Sequence, residues 1–538
     1  MKNKALWALC AATVSGATLW AANWPTVAGN PQRDGWAQGE VKLTAANAKK
    51  IQLLYKHTFT NKAVGLNALT APLDLGQIIG FTGFHEFLYT GTSSGDIVIT
   101  DADLNYEFKK THLDLKEKVP VSTSALCSGG LSTPLAMPGG SAPARFGGNR
   151  GQIALLWALN NDGYLHAMRQ QDGDNTTIPA VKLVPAGSKT TGLNISSTNS
   201  MYVSTVDSCN GTPNGLYAVD FTYPTMFQVP GKGYDKPAQW SKPASFLTNG
   251  SGFVGAGGVA VNTKGDALFG TVASGKGEVA GTYSDTVLNL DARTLTVKDY
   301  FTPSQPTPAT KAGVAVAGAT PAIFALKGKD YIISGDRNGR LYLLDSTSLG
   351  GPDHHTPAFA TAPVVAPDSD FGGNGVWDHF ATWVDAAHGN MRWVYASVHG
   401  AVTMKFPGAN GAATNGGIVA FTVDSTGATP ALVPAWSSAD ILSPSGPVTI
   451  GGLVATVSTG LSSRVAKKDG TPYTVAEIEK MAKPATLYLL DGATGAQVFT
   501  SGKTATTFAT GGLTAGNGHV YLTTHDNTLY QFGIPEER

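Results

Sequence analysis

Residues 335–350 read Gly-Asp-Arg-Asn-Gly-Arg-Leu-Tyr-Leu-Leu-Asp-Ser-Thr-Ser-Leu-Gly. A polar turn, Asp336-Arg337-Asn338-Gly339, separates the apolar strand 331–334 from a second apolar strand, 341–344. Asn338-Gly339 can supply both positive-φ residues of a type I′ turn, so the spacing predicts a β-hairpin. Asp345 and Gly350 close the second strand with another turn. The same pattern returns at 487–499, Leu-Tyr-Leu-Leu-Asp-Gly-Ala-Thr-Gly-Ala-Gln-Val-Phe.

Outward from that hairpin the chain repeats one unit: an apolar strand, a Gly/Asn/Asp turn, a second strand ending in Asp or its equivalent, and a variable outer strand. The units start with strands at 87–92, 153–159, 201–206, 258–262, 331–334, 392–398, 453–457 and 519–524. Eight units over 53–534 average roughly 60 residues, with loops accounting for the length. Successive short hairpins at this spacing predict an all-β, eight-bladed β-propeller of four-stranded antiparallel blades. The eighth unit lacks an outer strand, and 53–59 is a strand without a neighbour. The expectation is that this N-terminal strand joins the C-terminal blade and closes the ring, removing two exposed sheet edges. Only 475–483 has helical period, inside a loop.

Composition narrows the function. The chain has 538 residues, 65 of them Gly and 30 Pro, with 14% charged residues, which suits many tight turns rather than long surface helices. Lys plus Arg equals Asp plus Glu, 38 against 38, so no basic excess invites nucleic acid. At the start, Lys2 and Lys4 precede an apolar run, 5–14, and small residues around 15–17. This is the pattern of an export signal, residues 1–22, cleaved after Ala17 or nearer Ala21 or Ala22. The run is too short for a bilayer, which needs roughly 20 residues. Residues 23–538 are then one domain in the periplasm or outside the cell, with no membrane span. Cys10 leaves with the leader, and Leu9 before it is a poor residue for lipoprotein processing. Cys127 and Cys209 remain; they close a disulfide if their Cβ atoms come within about 4 Å, and otherwise stay separate thiols.

At these residues a family resemblance appears. Leu-Tyr-Leu-Leu-Asp-x-x-Thr-Gly-x-x-x-Phe at 487–499 resembles the repeat of the pyrroloquinoline-quinone (PQQ) propellers, with Phe499 where a docking Trp is usual. Asp336-Arg337-Asn338-Gly339 followed by 341–345 resembles the corresponding repeat of the quinoprotein alcohol dehydrogenases, and 283–303 resembles secreted bacterial members of the family. The resemblance implies the propeller; it does not imply one activity, since the repeat also builds non-enzymatic outer-membrane assembly propellers. It places Arg337 over the cofactor, where a guanidinium fork would hold quinone and carboxylate oxygens.

The chain departs from the dehydrogenase pattern in two ways. It has no Cys-Cys pair, and 302–311 carry no Asp or Glu where the family's catalytic Asp and Ca²⁺ ligands are expected. Trp377-Asp378 with His379 and Trp383 open the sixth unit, where first strands line a propeller's channel; rings, an acid and an imidazole there would suit a sugar or a cofactor, or simply pack between blades. His354 and His355 could join a transition-metal site. Two functions follow. One is a binding or scaffold protein without its own chemistry, whose partner is a protein or a small-molecule or carbohydrate ligand. The alternative is a PQQ- and Ca²⁺-dependent dehydrogenase of an alcohol or sugar.

Overall fold

In the computed structural model, residues 22–535 are described, apart from 81–82, 103–105, 121, 123–124, 128–130, 132–134, 137–154, 223–224, 227–233, 237–238, 251, 274–282, 305–317, 369–371 and 465. The export signal and the acid-free stretch 305–311 therefore lie outside the described residues. The rest is an all-β propeller whose blades are mostly four-stranded and antiparallel.

The hairpin that decides the fold runs from Lys329–Gly335 into Leu341–Asp345, with Ala322–Leu326 inside it and Phe359–Ala360 outside. Its turn is not type I′. Gly339 alone is left-handed, at φ 74°, and Asn338 is not. The Asp336 N–H donates to the Arg340 carbonyl at 3.1 Å and the Gly339 N–H to the Asp336 carbonyl at 3.2 Å. The Asp336 carboxylate then accepts from the Arg340 N–H at 3.0 Å, so the side chain holds the turn that the backbone pair was expected to hold. The same loop, with one left-handed residue in its fourth position, recurs at Gly95, Gly163 and Asn527.

The repeated Asp after the third strand also has a physical role. Asp291 and Asp491 each accept from the backbone N–H groups two and three residues on and from a Thr hydroxyl, an Asx-turn that reverses the chain. Middle strands read as unbroken apolar runs because a blade is covered on both faces. Asp96–Asp101 is buried throughout, whereas the outer strand Tyr106–His112 is largely exposed. The core accordingly lies between neighbouring blades: Tyr202 and Leu216 pack on Val259, Leu268 and Leu288 of the next sheet.

Some blades exceed the expected four strands. Gly375–Asp385, Met391–His399, Gly416–Asp424 and Ala431–Ser437 gain Ala319–Thr320 and Gly408–Ala409, both added in parallel, for a six-stranded sheet. The sheet around Ser200–Val206 also has six, through short flanking pieces that loops lay along its edges. The strand Gln52–Thr58 pairs antiparallel with Thr528–Gly533, Tyr55 opposite Gln531. A short α-helix, Val475–Met481, sits in a loop with Thr474 and Glu477 as a capping box.

Candidate functional site: an axial cavity with a built floor

Residues 22–43 form an arm that visits the innermost strands in the order in which the blades follow along the chain. Trp24 exchanges both backbone hydrogen bonds with Asp74, at 2.7 and 3.1 Å. The Thr26 hydroxyl donates to Leu193 O at 2.8 Å. The carbonyls of Pro31, Gln32, Asp34 and Gly35 then accept from the N–H groups of Val261, Ile323, Thr382 and Thr449. Trp36–Ala37 adds a parallel strand to Val448–Ile450, and the Glu40 carboxylate accepts from the Gly518 N–H at 2.7 Å. The turn formers of this arm leave its carbonyls and amides free to pair with partners far away in sequence.

Arg33 anchors the arm. It is wholly buried and donates to Thr26 Oγ1 at 2.7 Å, Val27 O at 2.6 Å and Leu193 O at 2.8 Å, with longer contacts to Gly192 O and Val259 O at 3.4 Å. These partners are dipoles, not carboxylates, and burial lowers the guanidinium pKa to about 9. Asp34 beside it is raised to about 6, burial outweighing its hydrogen bonds from Asn30, Trp36 and Gln38.

Above this arm lies a cavity of about 500 Å³, with Trp24, Thr26, Val27 and Ala28 as its floor. Its wall is made by the segments leading into or lying on inner strands: 69–73, 189–192, 254–256, 377–379, 444–445 and 510–514. This is the volume expected of a small-molecule site. Lys189 and Asp207 on the wall pair with each other at 2.5 Å.

Trp377 and Asp378 do reach this wall, together with His379 and His399. Trp377 donates Nε1–H to Gly373 O at 2.7 Å, and His399 stacks on its ring, centroids 4.9 Å apart. Asp378 is left-handed at φ 66°; its carboxylate accepts from the Gly446 N–H at 2.7 Å and from His379 Nδ1 at 3.1 Å. Burial pushes that carboxyl up, yet the His379 charge and hydrogen bond and the Gly446 amide outweigh it and hold the group below the usual aspartate value. His399 bonds Pro444 O through Nε2 at 3.0 Å, and burial lowers its pKa to about 4.

Arg337 lies behind the wall rather than on it. It is 3% exposed, ion-paired with Asp368, and its guanidinium stands over the Trp377 ring, 5.8 Å from the centroid. Burial lowers its pKa to about 9. Gly375, at φ 126°, lets the next blade approach so closely that a Cβ there would meet Arg337 Cα at 2.6 Å. His354 and His355 each have their own partners: His354 stacks on Tyr300 and reaches Tyr300 O and Asp299, while His355 bonds Thr302 O at 2.7 Å. Cys127 and Cys209 form a disulfide, Cα atoms 5.4 Å apart.

Among the described residues, Arg337 and Asp378 are already engaged where a carboxylate-bearing quinone and Ca²⁺ would need them. The Arg337 charge is taken by Asp368, and both Asp378 oxygens already accept hydrogen bonds. Among the described residues no group of three His, Cys, Asp or Glu side chains could hold a metal ion. Sequence reasoning missed Arg33 as the anchor of the arm, Asp368 as the partner of Arg337 and His399 as the ring stacked on Trp377. The only available signal was Arg33-Asp34, a charged pair inside a turn-rich stretch of Asn, Pro and Gly.

No protein-family model and no curated protein sequence matches the chain. Solved structures do. A quinohemoprotein alcohol dehydrogenase from Comamonas testosteroni aligns over 96% of this chain and 81% of its own at 12% identity, TM-score 0.53. A quinohemoprotein alcohol dehydrogenase from Pseudomonas putida HK5 covers 96% and 82% at 10% identity, TM-score 0.53. A europium-containing methanol dehydrogenase covers 95% and 98% at 12% identity, TM-score 0.56. At these identities the likeness is one of fold. Among the described residues no helix is long and apolar enough to cross a membrane.

Proposed function

We propose that the protein is an exported, eight-bladed propeller that binds a small uncharged ligand in its axial cavity and performs no chemistry of its own. The blade count is supported by eight sheets of four or more strands among the described residues, and ring closure by the pairing of Gln52–Thr58 with Thr528–Gly533. Export is supported by the leader pattern at 1–22.

The observation that carries the ligand reading is the state of the charged groups on the wall. Lys189 is matched by Asp207, and Asp378 by Gly446 and His379. A charged ligand entering here would lose its hydration without gaining a counter-ion, a cost that an uncharged one escapes. The test is calorimetric titration of sugars, polyols and their carboxylated or aminated analogues against the protein. Uncharged compounds should bind, and Ala256→Trp should abolish binding, since Ala256 is an exposed wall residue whose enlargement fills the cavity. Tighter binding of the charged analogues would overturn the reading.

The competing reading, a PQQ- and Ca²⁺-dependent dehydrogenase, rests on the repeat resemblance. Reduction of an artificial electron acceptor by protein supplied with PQQ, Ca²⁺ and alcohols or aldoses would establish it in place of the first.

A further inference from the structure

The segment 207–211 is a run of left-handed backbone that begins at the cavity wall with Asp207. Asp207 (φ 61°), Ser208 (φ 46°), Asn210 (φ 53°) and Gly211 (φ 76°) are all left-handed; Asp, Asn and Gly tolerate that region, and Ser208 is the position whose side chain disfavours it. Such a run persists only where its surroundings over-determine it. Here the restraints are identifiable. The Ser208 N–H donates to Asn214 Oδ1 at 2.9 Å and Asn210 Nδ2 to Gly187 O at 2.7 Å. Asp207 takes the Lys189 ammonium, and Cys209 is bonded to Cys127, 82 residues back. Cys209 is buried, while Cys127 is half-buried.

We propose that the Cys127–Cys209 bridge is a redox clamp on the cavity wall. Oxidised, it holds the left-handed run in place and keeps Asp207 on Lys189, both of which face the cavity. Reduced, the run relaxes, the ion pair parts and this side of the wall changes shape and charge. The chemistry is thiol–disulfide exchange with a dithiol reductant. One reductant thiolate attacks Cys127 Sγ, the S–S bond breaks, and Cys209 leaves as a thiolate that takes up a proton. The second reductant thiol then releases Cys127 as a thiol, and two electrons have passed to the protein as the reductant closes its own disulfide. The clamp is independent of which ligand the cavity takes.

Amide hydrogen exchange on the full mature chain, oxidised and after treatment with dithiothreitol, tests it. Peptides covering 205–214 should exchange roughly tenfold faster or more after reduction, while those covering the inner hairpin at 448–458 keep their protection. In parallel, acylation of the Lys189 amine should quicken on reduction, because Asp207 no longer holds it. The variant Cys127→Ser/Cys209→Ser should match the reduced protein without any reductant. Unchanged exchange at 205–214 would overturn the proposal, showing the loop held without the bridge. Faster exchange throughout would overturn it too, making the bridge a general staple.

Discussion

Tyr521 gives its phenolic hydrogen to the carboxylate of Glu86 at 3.0 Å, from the last blade of the chain to the first. Other junctions use the same tyrosine device with a different acceptor. Tyr89, Tyr202 and Tyr395 each donate to a backbone carbonyl of the next blade, at Gln170, Ala292 and Gly492. Only a side chain can change its charge, so among these four the junction where the chain's two ends meet is the titratable one. Asn517 also donates to Glu86, and His519 lies 3.5 Å from it.

That difference predicts an acid response. Burial alone would raise the Glu86 pKa, but the hydrogen bond and charge of His519, then Asn517 and Tyr521, hold it below the ordinary value. A carboxyl depressed in the folded state stabilises above its unfolded value, about 4.3, and loses that contribution as pH falls through the folded one. The melting temperature of Glu86→Gln should therefore fall less steeply than that of the parent below about pH 4.3. Parallel slopes in calorimetry from pH 7 to 3 would remove Glu86 from the account.

Arg337→Ala should be strongly destabilising. It would leave Asp368 buried and uncompensated, which typically costs about 3–5 kcal/mol, visible as a lower urea midpoint. Arg337→Met combined with Asp368→Leu should recover most of it, because the pair's desolvation cost goes too. A residue that served only to grip a ligand from the channel would give no such loss.

Asp34 makes a prediction of opposite sign. Its folded pKa, near 6, is above the unfolded carboxylate value, so its ionisation opposes folding as pH rises through about 6. Asp34→Asn should gain on the parent in stability between pH 5 and pH 8. Equal gaps at both pH values would mean that Asp34 stays ionised throughout.

Much of the architecture was legible because a blade is local. Tyr342 and Leu344, or Tyr488 and Leu490, alternate across hairpins a few residues wide, and period and turn residues suffice to find them. The strand near Tyr55 was expected by subtraction, and it does pair with Thr528–Gly533. The turn at Asn338 was misjudged because Asp336 supplies from its side chain what the motif assigns to the backbone. Arg337 was placed on the wall by analogy with a repeat. Its partner Asp368 sits in an irregular loop with no periodic signal, so nothing in the local sequence told an axial guanidinium from a buried one. That residues 23–36 form an ordered arm on a larger body was legible from their turn formers and lack of period, but the arm's partners were not: Arg33 meets Leu193 and Val259 through their carbonyls, and backbone groups leave no trace in residue identity.

The path of the arm has a consequence for assembly. A segment that takes hydrogen bonds from sheets spread between Asp74 and Gly518 has no seat until those sheets stand around one axis. Residues 22–43 precede every blade in the chain, yet their set of partners is complete only when all those sheets are in place. The arm resembles the bottom board of a barrel, which is gripped only where all the staves stand together, so the earliest segment of the chain depends on sheets formed by all the later ones.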